Sequence, residues 1–266
     1  MISQEISILF IADIVGKVGR EALAGLLPGL IKEHQATLVV ANGENAAGGF
    51  GLTREVLDEI HDAGVSVVTS GNHIWDKKEA LILLPQDANL LRPANYPPGV
   101  PGRGGVVVRD RNGHPVGILN LMGRVFMGEI DDPFRAADRE LERMQQETRA
   151  ILVDFHAEAT AEKIALGWYL DGRVSALIGT HTHVQTADER ILPEGTAYIT
   201  DVGMTGSFDS VIGMKKEGSL MRFLTGIPAR FEAAGGDPWV CGAWVKIDHG
   251  TGRATGIGRI HLPWGS

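Results

Sequence analysis

A single cysteine, Cys241, stands in a chain of 266 residues. One thiol excludes a disulfide framework and every cysteine-based zinc motif, and it suggests a reducing compartment in which it packs as a small hydrophobe. Long apolar runs are missing too: none approaches the ~18 residues a membrane span needs. The first eleven residues carry neither a basic leader nor a small-residue cleavage site, so the expectation is a cytoplasmic protein outside the membrane. Basic charge is in deficit, 25 Lys and Arg against 33 acidic residues for a net charge of −8, with no basic block to offset it. That balance argues against long nucleic acid and anionic membranes and leaves a small anionic substrate open. Nucleotide loops are absent as well. Gly16-Lys17-Val18-Gly19 and Gly48-Gly49-Phe50-Gly51 match neither the phosphate-loop nor the dinucleotide spacing, and they read as places where backbone approaches a site closely.

What is present is an ordinary globular composition, 44% hydrophobic and 22% charged, with enough apolar mass for one large α/β domain over residues 1–266. Glycine is abundant, 35 residues, and concentrated where apolar runs end. A short phrase recurs: four to seven apolar or β-branched residues, then a polar residue beside glycine. Residues 6–12 end at Asp13, 37–41 at Asn42-Gly43-Glu44-Asn45, and 65–69 at Ser70-Gly71-Asn72-His73. Further on, 150–155 ends at His156, 174–178 at Gly179-Thr180-His181-Thr182-His183, and 197–200 at Asp201-Val202-Gly203. Continuous runs of this length predict strands buried on both faces.

Helical patterns at 19–35, 53–63, 132–148 and 160–170 alternate with these runs, and Asp132-Pro133 is a start signal. Alternation predicts right-handed crossovers and parallel strands, whose carboxyl ends share one edge where ligands bind. Two stretches break the rhythm. Residues 106–108 and 116–119 flank Asn112-Gly113, and 240–247 and 254–260 flank 248–252, which predicts two antiparallel hairpins forming a second sheet packed on the first. Residues 204–236 carry apolar side chains without periodicity and read as a cap or a subunit contact, which leaves a homo-oligomer open.

Asp13, Glu44, Asn72, His156, His181 and His183 are oxygen and imidazole donors falling at strand ends. Singly, each has an ordinary explanation as a cap or turn residue. Together, with no nucleophilic serine motif or Cys/His pair beside them, they suit a pair of borderline divalent metals. His34, His61, His114, His249 and His261 follow no buried run into a glycine turn and are read as surface or packing residues.

The ordered set Asp13, Gly43-Glu44-Asn45, Gly71-Asn72-His73, His156 and Gly179-Thr180-His181-Thr182-His183 resembles the calcineurin-like metallophosphoesterases across residues 13–183. Two departures, Val15 in place of a common histidine ligand and Glu44-Asn45 in place of the usual bridging aspartate, point to one subgroup. With Asp13-Ile14-Val15-Gly16, Gly71-Asn72-His73-Ile74-Trp75-Asp76 and Asn120-Leu121-Met122-Gly123-Arg124, the chain is similar to the YmdB-like phosphodiesterases. The resemblance implies a four-layer α/β/β/α sandwich, two metal ions, iron or manganese, and hydrolysis of phosphodiesters, 2′,3′-cyclic nucleotides above all. It implies Asp13, Glu44, Asn45 and His183 on the first metal and Glu44, Asn72, His156 and His181 on the second. Glu44 would bridge, and Asn45 would replace the ligand missing at Val15.

With neutral histidines, two divalent ions, two carboxylates and a bridging hydroxide leave a net charge of about +1, enough to attract phosphate. Attack by that hydroxide leaves a basic ribose oxygen to be protonated, and His73, beside Asn72 but metal-free, is the general acid expected. Arg124 is a candidate for a phosphate oxygen. The competing readings are a phosphomonoesterase or nucleotidase with the same metals, and a regulatory protein that senses a nucleotide with little turnover.

Overall fold

The computed structural model describes residues 5–265. Alternation of side chains along the strands builds the layers. In β1 (Glu5–Ile11), Ile6, Ile8 and Phe10 face a second sheet, while Leu9 and Ile11 face helices. β3 (Leu38–Asn42) repeats this, with Leu38 and Val40 inward and Val39 and Ala41 outward. Those outward residues are covered by Leu23 and Leu27 of α1 (Gly16–Glu33), Leu57 and Ile60 of α2 (Arg54–Asp62), and Leu83 of α3 (Ala80–Gln86). The other sheet is built the same way. In β7 (Ile151–His156), Leu152 faces the first sheet, and Ile151, Val153 and Phe155 face α4 (Pro133–Met144) and α5 (Thr160–Leu170). Three apolar layers therefore separate four layers of structure, the α/β/β/α sandwich expected.

The first sheet places β12 (Pro238–Asp248) at its centre. It pairs antiparallel with β1, with β11 (Met204–Ser207) and with β13 (Ala254–Pro263), while β1, β3 and β4 (Val67–Thr69) run parallel. A two-residue strand, β2 (Asp13–Ile14), continues from β1 and pairs with β11. The second sheet runs β5 (Gly105–Arg109), β6 (Pro115–Met122), β7, β8 (Ala176–Thr180), β10 (Ala197–Ile199) and β9 (Arg190–Ile191), parallel from β6 to β10.

Both hairpins exist, but they do not make the second sheet together. β5–β6 edges the second sheet and β12–β13 completes the first, because β6 also pairs parallel with β7 and β12 with β1. The ligand edge is accordingly not one sheet's edge: the carboxyl ends of two parallel cores meet at one end of the sandwich. Helix bounds shift in two places. α1 starts at Gly16 and not 19, with Val15 as its cap, and α4 closes at Met144, followed by turns to Thr148. Asp132 caps α4 as expected, accepting from the Phe134 and Arg135 amides, a contact worth about 1 kcal/mol. Two helices lie outside the predicted patterns: α3, and α6 (Lys216–Thr225) inside the stretch without periodicity. Among the described residues no helix is long and apolar enough to cross a membrane.

Candidate metal centre

Five elements bring the site together: β2 carries Asp13, the turn after β3 carries Glu44 and Asn45, the turn after β4 carries Asn72 and His73, β7 ends at His156, and the loop after β8 carries His181 and His183. Beneath them lies a polar layer between the sheets. Asn42 Nδ2 and Thr69 Oγ1 of the first sheet both donate to Asp154 Oδ2 of the second, and Thr180 Oγ1 donates to Asp154 Oδ1 at 2.7 Å. Burial pushes the Asp154 carboxyl up to about 7. Asn42 Oδ1 accepts from the Glu44 backbone amide at 3.1 Å, so the same layer fixes the turn that carries Glu44.

The imidazole tautomers follow from their outer partners. The Thr180 hydroxyl gives its proton to Asp154, so at 2.9 Å it accepts from His156 Nδ1 and leaves Nε2 pointing into the cluster. His181 Nε2 lies 3.0 Å from the Glu158 carboxylate, and its Nδ1 faces inward toward His156. His183 Nδ1 donates to the Ile212 carbonyl at 2.9 Å, which turns Nε2 inward. Partners of this kind orient metal-binding histidines.

Inside, His156 Nε2 is 3.1 Å from Glu44 Oε1, 3.1 Å from Asn72 Oδ1 and 3.0 Å from His181 Nδ1. Oxygen and nitrogen lone pairs converge there, and the Glu44, His156 and His181 donor atoms all lie within 4.8 Å of one another. Burial opposes charge on both Glu44 and His156, yet their contact holds the carboxyl below and the imidazole above its usual range, so His156 Nε2 shares a proton with Glu44 that it must give up to become a metal ligand. His181 is pushed down to about 3 by burial and by its neighbour His156, so its ring is neutral. On the other flank, His183 Nε2 is 3.3 Å from Asp13 Oδ2, and both Asp13 oxygens are buried without a hydrogen bond. A buried carboxylate with no hydrogen bond, beside an imidazole nitrogen, is a place that a cation would fill. The donor set, oxygen and imidazole without thiolate, fits borderline divalent ions.

Asn45 reaches the cluster with its amide NH₂ toward Glu44 Oε1 at 3.2 Å and His183 Nε2 at 3.1 Å. A half-turn of the terminal amide puts Oδ1 at the same point, and ligation needs that half-turn. Gly71 is what lets the cluster close: a Cβ there would stand 2.2 Å from His156 and 2.3 Å from Glu44 Oε2. Val15 offers no ligand, and its branched side chain fills the space against Gly206 and Gly213.

His73 stands outside the ligand ring. Its amide donates to Glu44 Oε2 at 3.3 Å, its Nδ1 lies 2.8 Å from Asp76 Oδ2, and its ring meets Phe50 edge-on. It lines a cavity of about 670 Å³ together with Glu44, Asn45, His181 and His183. Arg124 turns away from that cavity, its guanidinium donating to Asp132 Oδ2 at 3.0 Å. The five other histidines stay clear of the cluster: His34 stacks on Trp244, His61 lies against the Val65 carbonyl, His114 packs on His249, and His261 packs on Trp239.

The profile of the YmdB-like protein family matches residues 9–260. The chain belongs to that family. It is 49% identical over 253 residues to a Bacillus subtilis (strain 168) protein named 2′,3′-cyclic-nucleotide 2′-phosphodiesterase, with 95% of this chain and 96% of the relative covered. A putative phosphatase/phosphodiesterase of Mycoplasma genitalium is 35% identical, with 97% and 93% covered. Among solved structures, a hypothetical protein from Thermus thermophilus superposes with a TM-score of 0.91 at 46% identity, covering 97% of this chain and 99% of that one. A protein described as a novel phosphatase from Mycoplasma pneumoniae gives 0.92 at 34% identity, covering 99% and 95%.

The YmdB-like site also contains residues that the strand-end pattern does not reveal. Asp76 holds His73, Glu158 holds His181, and the Thr180–Asp154 pair holds His156. Asp76 had a signal, three residues after His73 in one turn. Glu158 lies two residues after a candidate ligand and reads as an ordinary surface charge.

Proposed function

We propose that the chain hydrolyses small phosphodiesters, 2′,3′-cyclic nucleotides first among them, at two divalent ions of iron or manganese in the cytoplasm. As a member of its family it is a phosphoric ester hydrolase of the metal-dependent kind. The substrate follows the Bacillus relative's name, as does the ester opened, the one at O2′. One observation carries the reading: buried oxygen and imidazole lone pairs from both sheets converge with an orphaned Asp13, beside a protonatable His73 that is free of the cluster. Because both sheets contribute, neither half of the chain holds the site alone, which supports one functional domain over residues 1–266.

Asp13, Glu44, Asn45 and His183 would hold one ion and Glu44, Asn72, His156 and His181 the other, with Glu44 shared. Bound there, the ions supply positive charge for the phosphoryl oxygens and lower the pKa of water. His73 does the remaining proton work. Its Nδ1 lies against Asp76 Oδ2 at 2.8 Å, which orients the ring and leaves Nε2 for the substrate. A water oxygen bonds to phosphorus as one of its O–H bonds breaks, the P–O2′ bond breaks with its electron pair on O2′, and the Nε2 proton of His73 goes to that oxygen, leaving a 3′-phosphate; the proton released from water restores His73. The test is purification without added metal, with elemental analysis and an ester panel on one sample. Two ions per chain and turnover of cyclic nucleotides above monoesters are expected, and activity on monoesters alone or without metal would overturn the reading.

A further inference from the structure

The cavity above the cluster has two unlike walls. One carries Glu44, Asn45, His73, His181 and His183, and the other is built by Met214, Phe223 and Phe231, with Arg222 and Ser219 between them. At about 670 Å³ the space is of the size that holds a whole small molecule, far more than a phosphate group fills. The apolar wall is not explained by packing. α6 buries only Ser219 of its ten residues, and Phe223 is 82% exposed although it lines the cavity. Such a side chain is covered only when something enters. The wall is nevertheless fixed in place, because the segments on either side of α6 pair with each other, Lys215 N donating to Glu232 O at 2.9 Å and Met214 bridging to Ala233. The Arg222 guanidinium lies over the Phe231 ring at 5.3 Å from its centroid, and both residues line the cavity.

Resting on the phosphodiesterase reading above, we infer that Phe223 and Phe231 form the seat for the substrate's nucleobase, holding it by stacking and without reading its identity. The cavity is continuous from the ligand cluster to this wall, so a phosphate on the metal side and a base on the aromatic side occupy one space. Stacking needs only a π-face, which every base has. Reading a base needs fixed donors and acceptors at its edge, and this wall offers no amide and no carboxylate side chain, only one guanidinium and the buried hydroxyl of Ser219.

The experiment compares the four 2′,3′-cyclic nucleotides with 1-O-methylribose 2′,3′-cyclic phosphate, which has the same ester and no base, in the wild-type enzyme, Phe223→Ala and Phe223→Trp. Stacking contributes roughly 5- to 100-fold per base, so KM for the nucleotides should rise by that factor in Phe223→Ala while kcat holds. The base-free ester should be indifferent to the substitution, and Phe223→Trp should restore the nucleotide KM. Among the four bases kcat/KM should vary by less than about tenfold, the spread of stacking strength alone. An equal loss on the base-free ester, no loss on any nucleotide, or a preference for one base well beyond tenfold would overturn the seat. A wild-type enzyme that cleaves none of the five would overturn the phosphodiesterase reading instead.

Discussion

Lys163 Nζ stands 2.6 Å from Asp201 Oδ2, and neither group meets solvent. The same carboxylate oxygen accepts the Thr182 amide proton at 3.1 Å. Thr182 is the middle of the loop whose flanking residues, His181 and His183, sit at φ of 102° and 65°. Positive φ is costly for a side chain of this size, roughly 1–3 kcal/mol per residue. The buried ion pair is therefore the peg on which the two strained histidines hang.

Removing the lysine strands a buried carboxylate. Lys163→Met should cost about 3–5 kcal/mol of stability by denaturant unfolding, and most of that should return when Asp201→Asn is added, because the double variant leaves no unpaired charge. A single variant as stable as the parent would refute the peg.

Glu44 is 1% exposed and touches both flanks of the cluster. Glu44→Gln should keep the fold, lower metal occupancy and abolish turnover, read by circular dichroism, elemental analysis and rate on one preparation. Two tightly bound ions with near-normal turnover would exclude a bridging role.

His181 and His183 face opposite flanks, toward His156 and toward Asp13. His181→Ala and His183→Ala should each lose a different ion, located by anomalous scattering at the metal edges. Loss of both ions equally, or of neither, contradicts that division.

His73→Ala separates acid catalysis from binding. The rate on a cyclic nucleotide, whose ribose oxygen must be protonated, should fall by on the order of 10²–10⁴, while a nitrophenyl ester, whose phenolate leaves unaided, should lose far less. Asp76→Asn should lower the cyclic-nucleotide rate selectively in the same way with a smaller loss. Similar losses on both esters would assign His73 to positioning.

Burial pushes the Cys241 thiol up to about 12 from an ordinary value of 9. Between those pH values the folded chain keeps a proton that the unfolded chain releases, so stability falls as pH rises, by up to about 1.4 kcal/mol per unit. Tyr198, also raised to about 12 by burial, adds to the slope. Cys241→Ala should flatten the decline of Tm between about pH 9 and 10. An unchanged slope would mean that the thiol is not protected in the native state.

The strand ends were legible because a strand buried on both faces writes a continuous apolar run, and the ligands occupy the first polar positions after it. The histidines off the site were legible for the opposite reason. α6 was not, because Leu220, Phe223 and Leu224 are exposed and form no stripe against a core. Short α3 is obscured by Pro85 in its last turn. The placing of the hairpins was hidden because it depends on β1 meeting β12 across most of the chain, Glu5 opposite Asp248. The orienting partners of the ligands were hidden likewise: His183 rests on a carbonyl 29 residues away, which no side-chain pattern records.

The central place of β12 bears on when the protein becomes active as it leaves the ribosome. Until residues 238–248 emerge, β1 has no partner on one side, and β11, which holds the strand bearing Asp13, has no neighbour between itself and β1. The nascent chain thus carries an open sheet edge through most of its synthesis, a surface on which other strands can pair. A chain that ends before β12 lacks the strand that joins β11, and with it the β2 pairing of Asp13, to the rest of the first sheet.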